Sequence, residues 1–144
     1  MIIYNASWVK VLMLASMMLA GLNFYSCQKD EFVFKDGAQK TFRNCYSTVV
    51  SRIDVPERIL AGRSADFGVL YIKPTPCYEL RGFQLESKAN NITITVCLKE
   101  PREVCVDMLD SGYEYFSVTF SQAGNYKIIF KDYDGEKSIG FTVE

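Results

Sequence analysis

The side chains with the most definite chemistry in this sequence are its five cysteines. Outside the cytoplasm thiols form disulfides, and four cysteines are available for this once Cys27, treated below, is set aside. Zinc is disfavoured because the chain has neither histidine nor a Cys-x-x-Cys spacing. A redox pair is disfavoured because the spacer from Leu98 to Val104 is long for an oxidoreductase motif. We predict two disulfides and no metal or other cofactor, the bonded residues being Cys45, Cys77, Cys97 and Cys105.

The absence of histidine also limits catalysis. Without an imidazole, neither a Ser/His/Asp triad nor a Cys/His pair can form. The 17 acidic residues always offer some pair of carboxylates for glycoside hydrolysis, but no pair is singled out. We therefore predict that the protein is not an enzyme. The formal net charge of -1 also argues against a nucleic-acid partner.

Three tyrosines are candidates for contact with a partner. Alternation along the predicted strands leaves Tyr113, Tyr115 and Tyr133 facing outward, where a flat ring with a polar tip can stack on a sugar or a protein. Core filling explains most of the other tyrosines. The single tryptophan, Trp8, lies in a segment that we expect to be removed, so it adds nothing to a glycan-binding platform.

Three carboxylates, those of Asp132, Asp134 and Glu136, lie close together and have the chemistry of a weak calcium site. A hairpin turn at Asp134-Gly135 explains the same segment, because a two-residue type I′ turn needs positive φ at both positions. The later ligands of an EF-hand are missing. We therefore predict a turn and no metal site here.

An uncharged apolar run extends from Val11 to Phe24, with Lys10 before it. Its length matches the h-region of a signal peptide and falls short of the roughly 20 residues that cross a bilayer. A buried core helix is disfavoured because the run is apolar on all sides and ends in a polar tract.

The residues Phe24, Tyr25, Ser26 and Cys27 that follow resemble the lipobox of bacterial lipoproteins. A typical lipobox has leucine and a small residue where this chain has Phe24 and Tyr25. The resemblance implies cleavage before Cys27 and acylation of that cysteine, and two or three acyl chains form a stable membrane anchor.

The next segment resembles the lipoprotein export signal of Bacteroidetes, in which lysine and acidic residues follow the lipidated cysteine. A solvated charge run is the alternative interpretation. The resemblance implies an outer-membrane protein that faces the cell exterior, with an export signal formed by Gln28, Lys29, Asp30 and Glu31.

The rest of the chain divides into a tether and one domain. Residues 28–44 are polar and predict a flexible tether with a reach of up to about 50 Å. Beyond it apolar residues alternate with period two, which predicts an all-β antiparallel sandwich of about eight strands. We assign 1–26 to the signal peptide, 27–44 to the lipidated cysteine and tether, and 45–144 to the sandwich. The predicted strands are 48–55, 66–73, 78–85 with a bulge at Gly82, 92–98, 103–109, 114–120, 125–131 and 137–143.

The segment from Ser121 to Tyr126 resembles the Gly-x-Tyr sequence before the penultimate strand of many bacterial immunoglobulin-like domains. The resemblance implies an immunoglobulin-like fold for roughly the last hundred residues, and such folds have many unrelated functions. The whole chain resembles small Bacteroidetes lipoproteins with one such domain, a group without a known common activity.

Three disulfide pairings are possible, and strand register favours one. If Glu100-Pro101-Arg102 is a three-residue loop, Cys97 lies directly opposite Cys105 on the polar face of a hairpin. Antiparallel pairing of the first two strands then brings Cys45 near Cys77.

These features favour a non-catalytic, lipid-anchored module of the cell envelope that binds an unidentified protein or glycan partner or serves as an accessory subunit of an envelope complex. The alternative is an envelope inhibitor that blocks a hydrolase with the hairpin loop braced by Cys97 and Cys105. Inhibition assays against proteases and lysozymes distinguish the two.

The membrane anchor is directly testable. We expect Cys27→Ser to abolish fatty-acid labelling and to release the protein from the membrane fraction, because no other residue carries the lipid. Metabolic labelling followed by fractionation measures both effects. Labelling that persists in this variant would contradict the assignment.

Overall fold

The computed structural model describes residues 31–34 and 38–144, and every regular element in these ranges is a β-strand. The predicted lipidation site Cys27 and the export-signal residues Gln28, Lys29 and Asp30 lie outside the described residues. The strands form two packed sheets, which confirms the all-β sandwich. No helix among the described residues has the length and apolar character needed to cross a membrane.

The described part of the chain forms ten strands, two more than expected. Their bounds are β1 Glu31–Phe34, β2 Gln39–Lys40, β3 Tyr46–Thr48, β4 Val50–Asp54, β5 Ser64–Lys73, β6 Glu79–Lys88, β7 Asn91–Lys99, β8 Asp110–Phe120, β9 Gly124–Asp132 and β10 Gly135–Val143.

One sheet has the strand order β1-β8-β5-β4, and the other has the order β10-β9-β7-β6-β2. Strand β3 also belongs to the second sheet, because it pairs with β7 next to the segment that pairs with β9. Most of the described pairings are antiparallel, but β1 runs parallel to β8 and β7 runs parallel to β9.

The core lies between the sheets, where the alternating apolar side chains of both meet. Phe67 on β5 is fully buried and stacks on Phe116 of β8, with 5.2 Å between ring centroids. It also contacts Phe141 of β10, across the sandwich, at 5.3 Å. The predicted inward face of the last hairpin is confirmed, because Tyr126, Ile128, Phe130 and Val143 are buried and Ile139 and Phe141 pack against the core.

The predicted bulge is also confirmed. The β6–β7 register shifts between Leu80 and Gly82, and Gly82 has a φ of 146°. A Cβ atom here would lie 2.6 Å from the ring of Phe42. Glycine therefore allows both the backbone conformation and the close approach of that ring.

The predicted tether is wrong in its extent. Residues 31–34 form β1, in which Phe32 and Phe34 are each 6% exposed, and residues 39–40 form β2. Burial of two phenylalanines opposes solvation of this segment. Residues 31–34 and 38–144 form the two sheets, the two disulfides and the core described here, and together they have the parts that a single domain needs to fold.

The predicted strand 103–109 does not form, and these residues belong to a loop between β7 and β8. The predicted turn is displaced by one residue, since Asp132 pairs with Gly135 and the turn residues are Tyr133 and Asp134. The Asp132 carboxylate accepts a hydrogen bond from the Tyr133 backbone amide at 2.7 Å, which fixes this turn.

The four predicted cysteines are all bonded, but the predicted pairing is wrong. The bonds are Cys45–Cys97 and Cys77–Cys105. The predicted first strand is divided at Val49, because β3 joins the six-stranded sheet and β4 joins the other. Pairing of β3 with β7 brings Cys45 to Cys97, and the absent 103–109 strand leaves Cys105 to bond in the loop before β6.

The two bonds should differ in their contribution to stability. Cys45–Cys97 closes a separation of 52 residues and Cys77–Cys105 closes one of 28. Loop-closure entropy gives about 4 kcal/mol for the first bond and about 0.5 kcal/mol less for the second. Cys97 is also fully buried. We expect Cys45→Ala with Cys97→Ala to lower the free energy of unfolding more than Cys77→Ala with Cys105→Ala, as measured by urea denaturation.

Non-reducing peptide mapping provides the independent check on the connectivity. A peptide that joins Cys97 to Cys105 would contradict the pairing described here, and equal losses in the two double variants would contradict the ranking.

Candidate functional site

The outer face of the four-stranded sheet carries an exposed pair of aromatic rings. Along β8, Phe116, Val118 and Phe120 point into the core, so the alternating residues Tyr113 and Tyr115 point away from it. Tyr113 is 38% exposed and Tyr115 is 61% exposed, which confirms the prediction that both face outward.

The two rings form one unit with a charged neighbour. Their centroids lie 5.2 Å apart, and the ring planes meet at 88°. The Tyr113 hydroxyl donates a hydrogen bond to Asp54 Oδ2 at 2.9 Å. Arg52 donates to the same carboxylate, with Nε 3.0 Å from Oδ1 and Nη2 3.1 Å from Oδ2. We call Arg52, Asp54, Tyr113 and Tyr115 the tyrosine patch.

Gly68 on β5 provides the floor of this patch. It pairs with Asp54 on one side and with Tyr115 on the other. A Cβ atom at Gly68 would lie 1.9 Å from the Tyr113 hydroxyl oxygen. Only glycine lets the Tyr113 ring lie across β5 and reach Asp54.

Hydrogen bonding sets the ionisation of the patch. The pKa of Tyr113 is raised well above its ordinary value of 10.0, first by its hydrogen bond with Tyr115 and then by its bond with Asp54. Tyr113 therefore stays protonated in any physiological medium. It acts as a fixed donor that orients the rings and does not supply a phenolate.

A cavity of about 250 Å³ opens beside Tyr115. Its walls come from both sheets, with Phe83 of β6 facing Phe116 of β8, and Lys40 and Arg81 also line it. The volume is slightly below the range of roughly 300–1,000 Å³ for drug-sized ligands. It suits one sugar ring or one side chain of a partner.

The third predicted tyrosine does not join the patch. Tyr133 is 65% exposed, but it lies at the β9–β10 turn of the six-stranded sheet. The sequence showed that this side chain faces outward, but it did not show which sheet carries it.

The carboxylates considered for calcium are held by a lysine. Lys137 Nζ pairs with Asp132 and lies 3.8 Å from Asp134 Oδ2. The Lys137 hydrogen bond lowers the pKa of Asp132, and the backbone amide of Tyr133 adds to this effect. Within residues 31–34 and 38–144, no group of three acidic, cysteine or histidine side chains has a metal-binding arrangement.

A second cavity was not predicted. A cleft of about 740 Å³ lies over Cys45 and Tyr46 and is flanked by the cations Arg81, Lys99 and Arg102. Two of these cations already have partners, since Arg81 donates to the Asn44 carbonyl at 3.1 Å and Lys99 lies 3.4 Å from a Glu79 oxygen. These side chains come from distant parts of the chain, so no local spacing revealed the cleft.

Comparison with known proteins gives no identification. No protein-family model, curated protein or solved structure matches this chain. The immunoglobulin-like assignment and the likeness to small Bacteroidetes lipoproteins therefore remain predictions.

The raised pKa of Tyr113 predicts how stability changes in alkali. Above pH 10.0 the unfolded chain ionises this hydroxyl while the folded chain retains the proton, so the free energy of unfolding should fall as pH rises. We expect Tyr113→Phe to remove part of that fall and to delete a late phase from the ultraviolet titration of the tyrosines.

Tyr133→Phe is the matched control, because it leaves the Tyr113 hydroxyl intact and should retain the late phase. An identical decline above pH 10 in the parent and in Tyr113→Phe would show that the hydrogen bonds of Tyr113 have no such effect.

Proposed function

We propose that this protein is a non-catalytic, lipid-anchored module of the cell envelope that binds a protein or glycan partner. The proposed location is the outer membrane, with the domain facing the cell exterior and Cys27 carrying the lipid. Two disulfides support a site outside the cytoplasm, because thiols there are oxidised. The apolar run before Cys27 and the charged residues after it support the anchor and its display.

The observation that carries the binding proposal is the exposed and oriented tyrosine patch. Tyr113 and Tyr115 lie side by side and remain 38% and 61% exposed on the outer face of the sheet, where a partner can reach both rings. Their rings are fixed by each other and by Asp54, so little conformational entropy is lost when a partner docks. Tyrosine combines an apolar face with a polar tip, which suits the mixed surface of a sugar or a protein.

The chemistry of the patch supports binding in preference to catalysis. Its hydroxyl is kept protonated, and the Asp54 carboxylate is shared between Tyr113 and Arg52. Each polar group of the patch therefore has a hydrogen-bond or ion-pair partner already, so the patch presents a ligand with exposed rings in a fixed orientation.

The alternative function is inhibition of an envelope hydrolase. The braced hairpin from which we derived it does not form, but the 100–109 loop is still tied through Cys105 to Cys77. Val104 next to this bond is fully exposed, which suits a residue inserted into a groove. Inhibition of proteases and lysozymes by the processed chain tests this alternative, and Val104→Asp should abolish any inhibition found.

We expect Tyr115→Ala to weaken partner binding by about tenfold or more, since truncation of a central aromatic contact commonly costs more than ~1 kcal/mol. Tyr115 is the more exposed ring, so its loss leaves the core intact. The probes are a panel of immobilised oligosaccharides and the outer-membrane protein fraction, with binding measured by surface plasmon resonance.

Tyr133→Ala is the matched control, because it removes an equally exposed tyrosine from the other sheet. Binding to oligosaccharides alone would identify a glycan partner, and binding to the protein fraction alone would identify a protein partner. Equal losses in both variants, or no loss in either, would contradict the assignment of the patch.

A further inference from the structure

The loop from Glu100 to Leu109 exposes four apolar side chains. Val104 is 104% exposed, Val106 71%, Met108 59% and Leu109 71%. Single exposed apolar residues are common on protein surfaces, whereas four within six consecutive residues make this loop a candidate interaction surface. This loop is separate from the tyrosine patch.

The loop has a defined place at one end of the sandwich. It leaves β7 at Lys99 and joins β8 at Asp110, which pairs with Lys73 at the end of β5. An ion pair of 2.7 Å between Lys73 and Asp110 fixes its far end. The Cys77–Cys105 bond holds its middle against the segment before β6. The apolar side chains therefore project from a supported loop.

Strand β1 begins on the same side of the sandwich as β8. Strand β1 runs parallel to β8, with Glu31 opposite Ser117, so the chain enters β1 from the side on which β8 begins. Glu31 is the fourth residue after Cys27, and a fully extended link of four residue steps spans at most about 14 Å. Along β8 the seven residue steps from Ser117 back to Asp110 span about 23 Å. The loop end thus extends beyond the reach of the link to Cys27.

We propose that the 104–109 segment inserts its apolar side chains into the interfacial layer of a lipid bilayer. This inference rests on the proposed anchor at Cys27. When the chain is anchored at Cys27 and its strands lie along the bilayer normal, the link from Cys27 to β1 is too short to keep the loop out of the lipid. The exposed apolar residues match the layer that they would meet.

The charges of the loop indicate which lipid headgroups it fits. Glu100, Glu103 and Asp107 outnumber Arg102, so the loop is acidic overall. An anionic surface repels acidic groups within a Debye length. The loop therefore fits a zwitterionic surface such as phosphatidylethanolamine with phosphatidylcholine, and anionic lipid should weaken the contact at low salt.

A tryptophan introduced at the loop tests this directly. The chain from residue 27 contains no tryptophan, and Val104 is free of packing, so Val104→Trp supplies a single probe without disturbing the core. The protein is residues 27–144 with Cys27→Ser and both disulfides intact, so that binding does not depend on the lipid. With zwitterionic vesicles we expect emission at shorter wavelength and quenching by brominated acyl chains.

Lys88→Trp at the opposite end of the sandwich is the control probe and should show neither change. In vesicle flotation, Val104→Ser with Met108→Ser should reduce partitioning by about tenfold, since each buried apolar side chain contributes strongly. Val33→Ser, an exposed valine replaced on β1, should leave partitioning unchanged.

Three results would overturn the inference: no emission change at position 104, equal quenching of both probes, or burial of the loop in a dimer without lipid. Stronger binding to anionic than to zwitterionic vesicles would contradict the charge argument. The anchor proposal is judged separately by fatty-acid labelling at Cys27, so vesicle binding without labelling would refute the anchor and leave the loop assignment standing.

Discussion

The pairing of β5 with β8 is the constraint on which the rest of the molecule depends. Ten residues of each strand are in continuous register, from Ser64 opposite Thr119 to Lys73 opposite Asp110. On the inner face this register stacks Phe67 on Phe116, and on the outer face it places Gly68 beneath the tyrosine patch. A slip of one residue would reverse both faces, exposing the core aromatics.

Pairing between strands is scarce at the end of the sandwich that carries the 100–109 loop. Strand β3 has three residues, and the 100–109 loop has no strand at all. The two disulfides lie in this region, one joining Cys45 to β7 and the other joining the loop to the segment before β6. Covalent bonds thus hold the parts of the chain that backbone hydrogen bonds hold least.

Period-two alternation was sufficient to predict the sandwich, most of its strands, the Gly82 bulge and the outward face of Tyr113 and Tyr115. These features depend on local spacing and on the two faces of a strand. The two wrong predictions, the 103–109 strand and the disulfide pairing, both depend on contacts between segments that are distant in the chain. Residues 103–109 alternate as a strand does, but they form an exposed loop in which Cys105 bonds to Cys77. The change of sheet at Val49 moved Cys45 to a partner that sequence spacing does not reveal.

The same limit applies to the candidate site. The sequence identified both tyrosines, but Asp54 and Gly68 are distant in the chain and join them only through the β4–β5–β8 register. If Cys27 carries the proposed lipid, its short link to β1 would give the tyrosine patch and the 104–109 segment different roles. If the strands stand along the bilayer normal with the loop end in the lipid, the outer sheet face is perpendicular to the membrane. The tyrosine patch would face sideways, where a partner held at the same membrane can reach it, and lateral access would follow from the parallel pairing of β1 with β8.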